Sequence, residues 1–163
     1  MQLDNVDCQI LDTLQKDGRI KNKDLAVQVG LSASACHERV RRLESAGIVR
    51  GYRALVDASA LGARFDAWID VEVREHTGRD VDDFLARLHT AEQVLSAHRV
   101  AGPQDFMLHV LARSQTAWSA FMREARDAGL DVVVKHMSVV TDCVKVRQPF
   151  RPNRSTSTGP EPI

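Results

Sequence analysis

Between Ser32 and Arg50 the chain concentrates side chains able to hold an anion or read the edge of a base: Ser32, Ser34, His37, Glu38, Arg41, Arg42 and Arg50. Hydroxyls, an imidazole and a carboxylate can exchange hydrogen bonds with base edges, whereas guanidinium groups match phosphate oxygens. These groups act together only if one element presents them on one side. A helix that Ser32 caps would do so. With successive residues turned by about 100°, Cys36, Val40 and Leu43 cluster on an apolar side, while Ser34, Glu38, Arg41 and Ser45 point away and His37 and Arg42 lie on the flanks. Base contacts come mostly from the first half of such a helix, which places Ser34, His37 and Glu38 at bases and leaves Arg41, Arg42, Arg50 and Arg53 for phosphates. Over residues 32–53 five Lys/Arg stand against two Asp/Glu, although the whole chain carries 22 of each. A phosphate backbone responds to the local patch, so overall neutrality does not exclude it as a partner.

The flanking elements have to hold that helix still. Upstream, Val6, Ile10 and Leu14, with Leu11 beside them, form a stripe that Asp4 can cap and Gly18 can stop. Asn22 can cap a short second helix whose Leu25, Ala26 and Val29 turn inward. Gly30 and Gly47 supply the left-handed residues that end the second and third helices. Two helices joined by a tight glycine turn make a helix-turn-helix, whose second helix enters the major groove of DNA. Arginines opposite an apolar stripe also describe an ordinary solvated face. The agreement of caps, glycines and apolar positions favours the DNA reading. Cys36 belongs with the core and His37 with the surface rather than with a metal.

Beyond residue 50 the pattern changes. Residues 48–57, "IVRGYRALVD", suit an extended linker strand, and small residues around Gly62 suit a connection. "FDAWIDVEV" then alternates strictly, with Phe65, Ala67, Ile69, Val71 and Val73 on one face. A helix with Val81, Phe84, Leu85 and Leu88 inward follows, then "VLSAHRVA" and "FMLHVLA" as strands around a "GPQD" turn. A second helix carries Trp118, Phe121, Met122 and Ala125, ends at Gly129, and leads to a β-branched last strand, "LDVVVKHMSVVTDCVKV". The order βαββαβ predicts an α+β chain: an N-terminal helix-turn-helix domain (residues 1–50), a linker strand (51–63), and a C-terminal ferredoxin-like antiparallel sheet domain (64–147) with both helices on one face. Trp68, among polar residues on the other face, suggests that a second copy covers it, although an isolated exposed Trp needs no explanation. Residues 148–163, rich in Pro, Ser and Thr, are expected to be a disordered tail that could touch DNA through Arg151 and Arg154.

Other classes find little support. No apolar run approaches the roughly 20 residues of a membrane span, and acidic residues sit where a signal peptide needs bases, so a cytoplasmic protein is expected. Cys8, Cys36 and Cys143 show no metal or disulfide spacing and read as reduced, mostly buried thiols. No catalytic constellation, metal site or cofactor is indicated, so the chain is not expected to be an enzyme.

Three segments carry a family resemblance: "LDNVDCQILDTLQKDGR", "LAVQVGLSASACHERVRRLESAGIVRGYRALVD", and "VAGPQDFML" with "VVTDCVK". On these the chain resembles the Lrp/AsnC, or feast/famine, regulators from Leu3 to about Lys145. The resemblance implies a winged-type helix-turn-helix joined to a domain that binds small molecules, usually amino acids. It further implies homodimers assembled into rings, commonly octamers. It places an effector between dimers, at the turn after the second sheet strand and along the last strand, here Gly102, Gln104 and Asp105 with Ser138 and Val140. Pro103 and Gln104 depart from the acid and aromatic common in that turn, and Pro103 has no N–H to offer a carboxylate. Asp105 could hold an ammonium or simply stabilise the turn. The function implied is a sequence-specific transcription regulator modulated by an amino acid; the alternative is an architectural protein that wraps double-stranded DNA without a ligand.

Overall fold

Helix α1 (Asn5–Lys16) starts at Asp4 because the Asp4 carboxylate accepts the Asp7 N–H (2.8 Å) and the Asp7 carboxylate accepts the Asp4 N–H (3.2 Å), a reciprocal cap. The structure, a computed structural model, describes residues 2–74, 79–145 and 149–150. Helices α2 (Asn22–Gln28) and α3 (Ala33–Ser45) complete the headpiece. Its core is Ile10, Leu25, Ala26, Val29, Cys36 and Leu43, with Val6, Leu11, Leu14, Val40 and Val49 packed around it. Gly30 and Gly47 both take φ of +69°, the left-handed stop expected of them.

Three local expectations need correction. Gly18 is not among the residues at positive φ; a Cβ there would meet the Tyr52 ring at 3.1 Å, so its reason is close approach. Asn22 is the first helical residue of α2, not its cap, and its amide donates instead to the Ala33 carbonyl (2.7 Å) at the start of α3. Only Cys36 of the three thiols is buried; Cys8 is half-buried and Cys143 exposed.

The chain divides into two units at Leu55 and Val56. Residues 51–63, expected as a linker strand, are irregular or turn and join no ladder among the described residues. An extended segment becomes a strand only against a partner edge, and Leu55 and Val56 stay 94% and 63% exposed. The tail's residues 151–163, with Arg151 and Arg154, lie outside the described residues. Phe150, by contrast, returns to the first unit, exchanging backbone hydrogen bonds with the Gln15 side-chain amide (2.9 and 3.0 Å).

The second unit is an antiparallel sheet of β1 (Phe65–Arg74), β2 (Val94–Arg99), β3 (Phe106–Ala112) and β4 (Asp131–Val139), in the order β2-β3-β1-β4. Helices α4 (Asp80–Thr90) and α5 (Gln115–Asp127) supply Phe84, Leu88, Trp118, Met122 and Ala125 to a core shared with Phe65, Ala67, Ile69, Val71 and Val73. The alternation read in β1 is the observed one. Strand β4 ends at Val139, shorter than its apolar sequence suggested, and a bulge shifts its register opposite Asp70 and Val71. On the face away from the core, Trp68 stacks flat on His109 (4.5 Å, 5°), and His109 Nε2 lies 2.9 Å from Asp66 Oδ1.

Candidate nucleic-acid interface and ligand turn

Ser32 opens α3 by accepting the Ala35 N–H at 3.2 Å, and its hydroxyl also touches Ser34 Oγ at 3.2 Å. The helix then carries Cys36 and Leu43 into the core with no accessible surface. Burial pushes the Cys36 thiol up from its ordinary value, which keeps it protonated and poorly reactive. Turning by 100° per residue from that buried side brings out Ser34, His37, Glu38 and Arg41, all exposed. The side chains of His37, Glu38, Arg41 and Arg50 have no hydrogen-bond or ionic partner among the described residues, so their polar groups are free for a ligand.

Arg42 is different. It is exposed, but its NH2 group donates to both oxygens of Asp7 (2.8 and 2.7 Å), so part of its guanidinium is committed to α1. Arg39, which the sequence reading did not single out, joins it: NH1 donates to Asp4 Oδ2 (2.6 Å) and Asp7 Oδ1 (2.9 Å). Those hydrogen bonds hold the Arg39 guanidinium more firmly protonated than usual. The signal was present in the spacing, since Arg39 and Arg42 are i, i+3 neighbours on a helix; the acids that meet them come from another helix, which periodicity cannot show. Beyond α3, the Tyr52 hydroxyl donates to Glu44 Oε1 (3.0 Å), and burial together with that carboxylate pushes its pKa up. No β-hairpin wing follows α3 among the described residues.

The five residues expected at an effector do not converge within one chain. Asp105 ties the β2–β3 turn to β1: its Oδ2 accepts the Val73 N–H (2.8 Å) and its own N–H donates to Val71 (3.0 Å). Asp105 therefore stabilises the turn through Oδ2. Gln104 folds back over Gly102, its Oε1 3.5 Å from where a Cβ would stand. Ser138 pairs across β1 with Trp68 and contacts His136 Nε2 (3.0 Å); Val140, just past the strand, donates to the Asp66 carbonyl (2.8 Å). At about 3.3 Å per residue along β1, the Val71–Val73 anchor of the turn lies roughly 10–17 Å from the level of Trp68. A separate cleft of about 340 Å³ between α4 and the α5–β4 turn is lined by Asp83, Ala86, Arg87, Thr90, Ala128 and Leu130, none of them among the five. Among the described residues no cluster of three metal-ligating side chains occurs, and no helix is long and apolar enough to cross a membrane.

Residues 3–50 match the family described as winged helix-turn-helix DNA-binding, and residues 66–149 match the Lrp/AsnC ligand binding domain. The leucine-responsive regulatory protein of Rhizobium meliloti is 38% identical over 148 residues, covering 91% of this chain and 92% of its own. Two solved structures have the same fold. One is a transcriptional regulator from Neisseria meningitidis in complex with L-methionine (TM-score 0.80, 31% identity, 91% of this chain and 96% of that one). The other is the feast or famine regulatory protein of Mycobacterium tuberculosis complexed with L-methionine (TM-score 0.82, 29% identity, 93% and 100%). The relatives are regulators rather than enzymes, and the ligand-binding match disfavours a purely architectural role. The chain belongs to the Lrp/AsnC family of DNA-binding transcription regulators.

Proposed function

We propose that the protein is a cytoplasmic regulator that reads its operator with α3, as a homodimer assembled into a larger ring, commonly an octamer in this family, and that an amino acid alters this activity. The observation that carries the DNA reading is the outward face of α3, where His37, Glu38 and Arg41 are exposed without described partners beside Ser34. In this reading Ser34, His37 and Glu38 meet base edges, and Arg41 and Arg50 take phosphates. Ser32 contributes by fixing the start of the helix, and Arg42 adds whatever part of its guanidinium Asp7 leaves free.

The amino acid is proposed from the two methionine-bound relatives and from the ligand-binding match. Separation of the Gly102–Gln104–Asp105 turn from Ser138 and Val140 within one chain supports a site completed by another protomer. Asp105 Oδ1, which has no described partner, is the group offered to the ligand ammonium.

A duplex selected from a random-sequence pool by the purified protein tests the reading. Specific binding should weaken on a log-log plot against salt, and Arg41→Ala should flatten the slope by about one unit. L-Methionine should change the affinity for that duplex. A pool that yields no preferred site would overturn sequence-specific recognition.

A further inference from the structure

The Asp7 carboxylate is 1% exposed, yet it belongs to a helix that carries none of the DNA-facing groups. Its oxygens receive four hydrogen bonds: one from Arg39 NH1, two from Arg42 NH2 and one from the Asp4 N–H. That fills the acceptor capacity of a carboxylate. Two of its donors come from α3, three residues apart and on the flank between the buried stripe and the outward face. Two points held on one rigid helix define its rotation about its own axis as well as its position along it. The packing of Cys36, Val40 and Leu43 and the Asn22–Ala33 hydrogen bond also hold the helix, and the Asp7 contacts add directional restraint on the flank that carries Arg39 and Arg42.

We infer that Asp7 is a positioning residue for DNA reading: through Arg39 and Arg42 it sets the rotation of α3 and hence where Ser34, His37, Glu38 and Arg41 point. This rests on the proposal that α3 reads the operator. The same contacts neutralise both arginines, with Asp4 and Asp7 facing Arg39 and Arg42, and so hold back two cations that would otherwise attract any phosphate backbone. Asp7 thereby favours specific over indiscriminate binding in two ways: it orders the groups that read bases, and it lowers the sequence-independent attraction. Charge alone makes no such distinction.

Asp7→Asn keeps the volume and one acceptor oxygen while removing the charge that gathers the arginines. Because Arg39 and Arg42 are 28% and 50% exposed, they can turn to water, so the headpiece should still fold. Affinity for the selected duplex should fall about tenfold or more, while affinity for scrambled DNA rises and its salt slope steepens by about one unit. A double Arg39→Lys, Arg42→Lys variant preserves the positive charge but not the planar fork, and should lose specificity without the steeper slope. If both variants keep the wild-type ratio of selected to scrambled binding, Asp7 does not position α3. Should Asp7→Asn fail to fold, the lysine pair decides alone, by the same ratio. A wild-type protein that shows no preferred duplex would instead refute the α3 reading itself.

Discussion

At Asp4, one carboxylate has two tasks whose strengths depend on pH. It caps α1 through the Asp7 N–H and pairs with Arg39, and these contacts, the backbone hydrogen bond first, hold its pKa below the ordinary carboxylate value. A pKa depressed on folding gives stability that is present above the unfolded value, near 3.9, and is lost as pH falls through the lower folded value. Asp4 is 51% exposed, so its ion pair is screened and the cap is the larger part. Asp4→Ala should therefore lower headpiece stability at pH 7 by about 1 kcal/mol, and the difference from wild type should shrink in acid. Melting curves of both proteins from pH 7 to pH 3 would check this. A gap that does not narrow would mean that the cap works without its charge.

At the scale of elements, Gly30 isolates the backbone requirement of the turn between α2 and α3. It sits at φ +69°, and a Cβ added there would meet nothing within 4 Å. Gly30→Ala should thus cost only the left-handed strain of an L-residue, about 1 kcal/mol in thermal or urea unfolding. A larger loss would point to a contact that the free space does not contain. This turn was legible in the sequence because its signal is local: a glycine after a short apolar repeat has few other meanings. The faces of β1 and α3 were legible for the same reason, since periods of 2 and 3.6 sort residues by side without knowledge of the neighbours. What could not be read depends on the partner element. Gly18 is explained by a tyrosine 34 residues away, Asn22 by a carbonyl across the turn, and Arg42 by an acid on α1. Residues 51–57 have the composition of a strand, but strand formation requires an edge that their own sequence does not contain. The turn around Gly102–Asp105 was legible as the connection between two strands, β2 and β3, whereas the hold of Asp105 on β1 is a tertiary fact.

For the whole molecule, the open face of the sheet is the surface on which pairing of copies is to be tested. Trp68 is 39% exposed there and lies flat on His109, giving a broad aromatic surface at the centre of the sheet. Around it, Asp66 shares a hydrogen bond with His109, and Glu72 pairs with Lys135 at 2.7 Å, an interaction that lowers the Glu72 pKa, while Asp70 has no described partner. Burying paired charges costs far less than burying lone ones, so the Glu72–Lys135 pair lowers the cost of covering this face, whereas Asp70 would need a partner from the covering copy. A second copy of the same face satisfies a two-fold axis, and the aromatic pair then sits near the middle of the contact, where association energy concentrates. Trp68→Arg would place an uncompensated guanidinium at that centre while leaving the core side of β1, with Ala67 and Ile69, untouched. Sedimentation velocity at micromolar concentration should show the wild type as dimers or larger and the variant shifted toward monomer, with a far-UV spectrum unchanged. Binding to the selected duplex should weaken along with it, because two linked reading helices gain from effective concentration and a single one does not. If the variant sediments as the wild type does, copies meet through another surface, and the exposed residues 51–57 become the next edge to test.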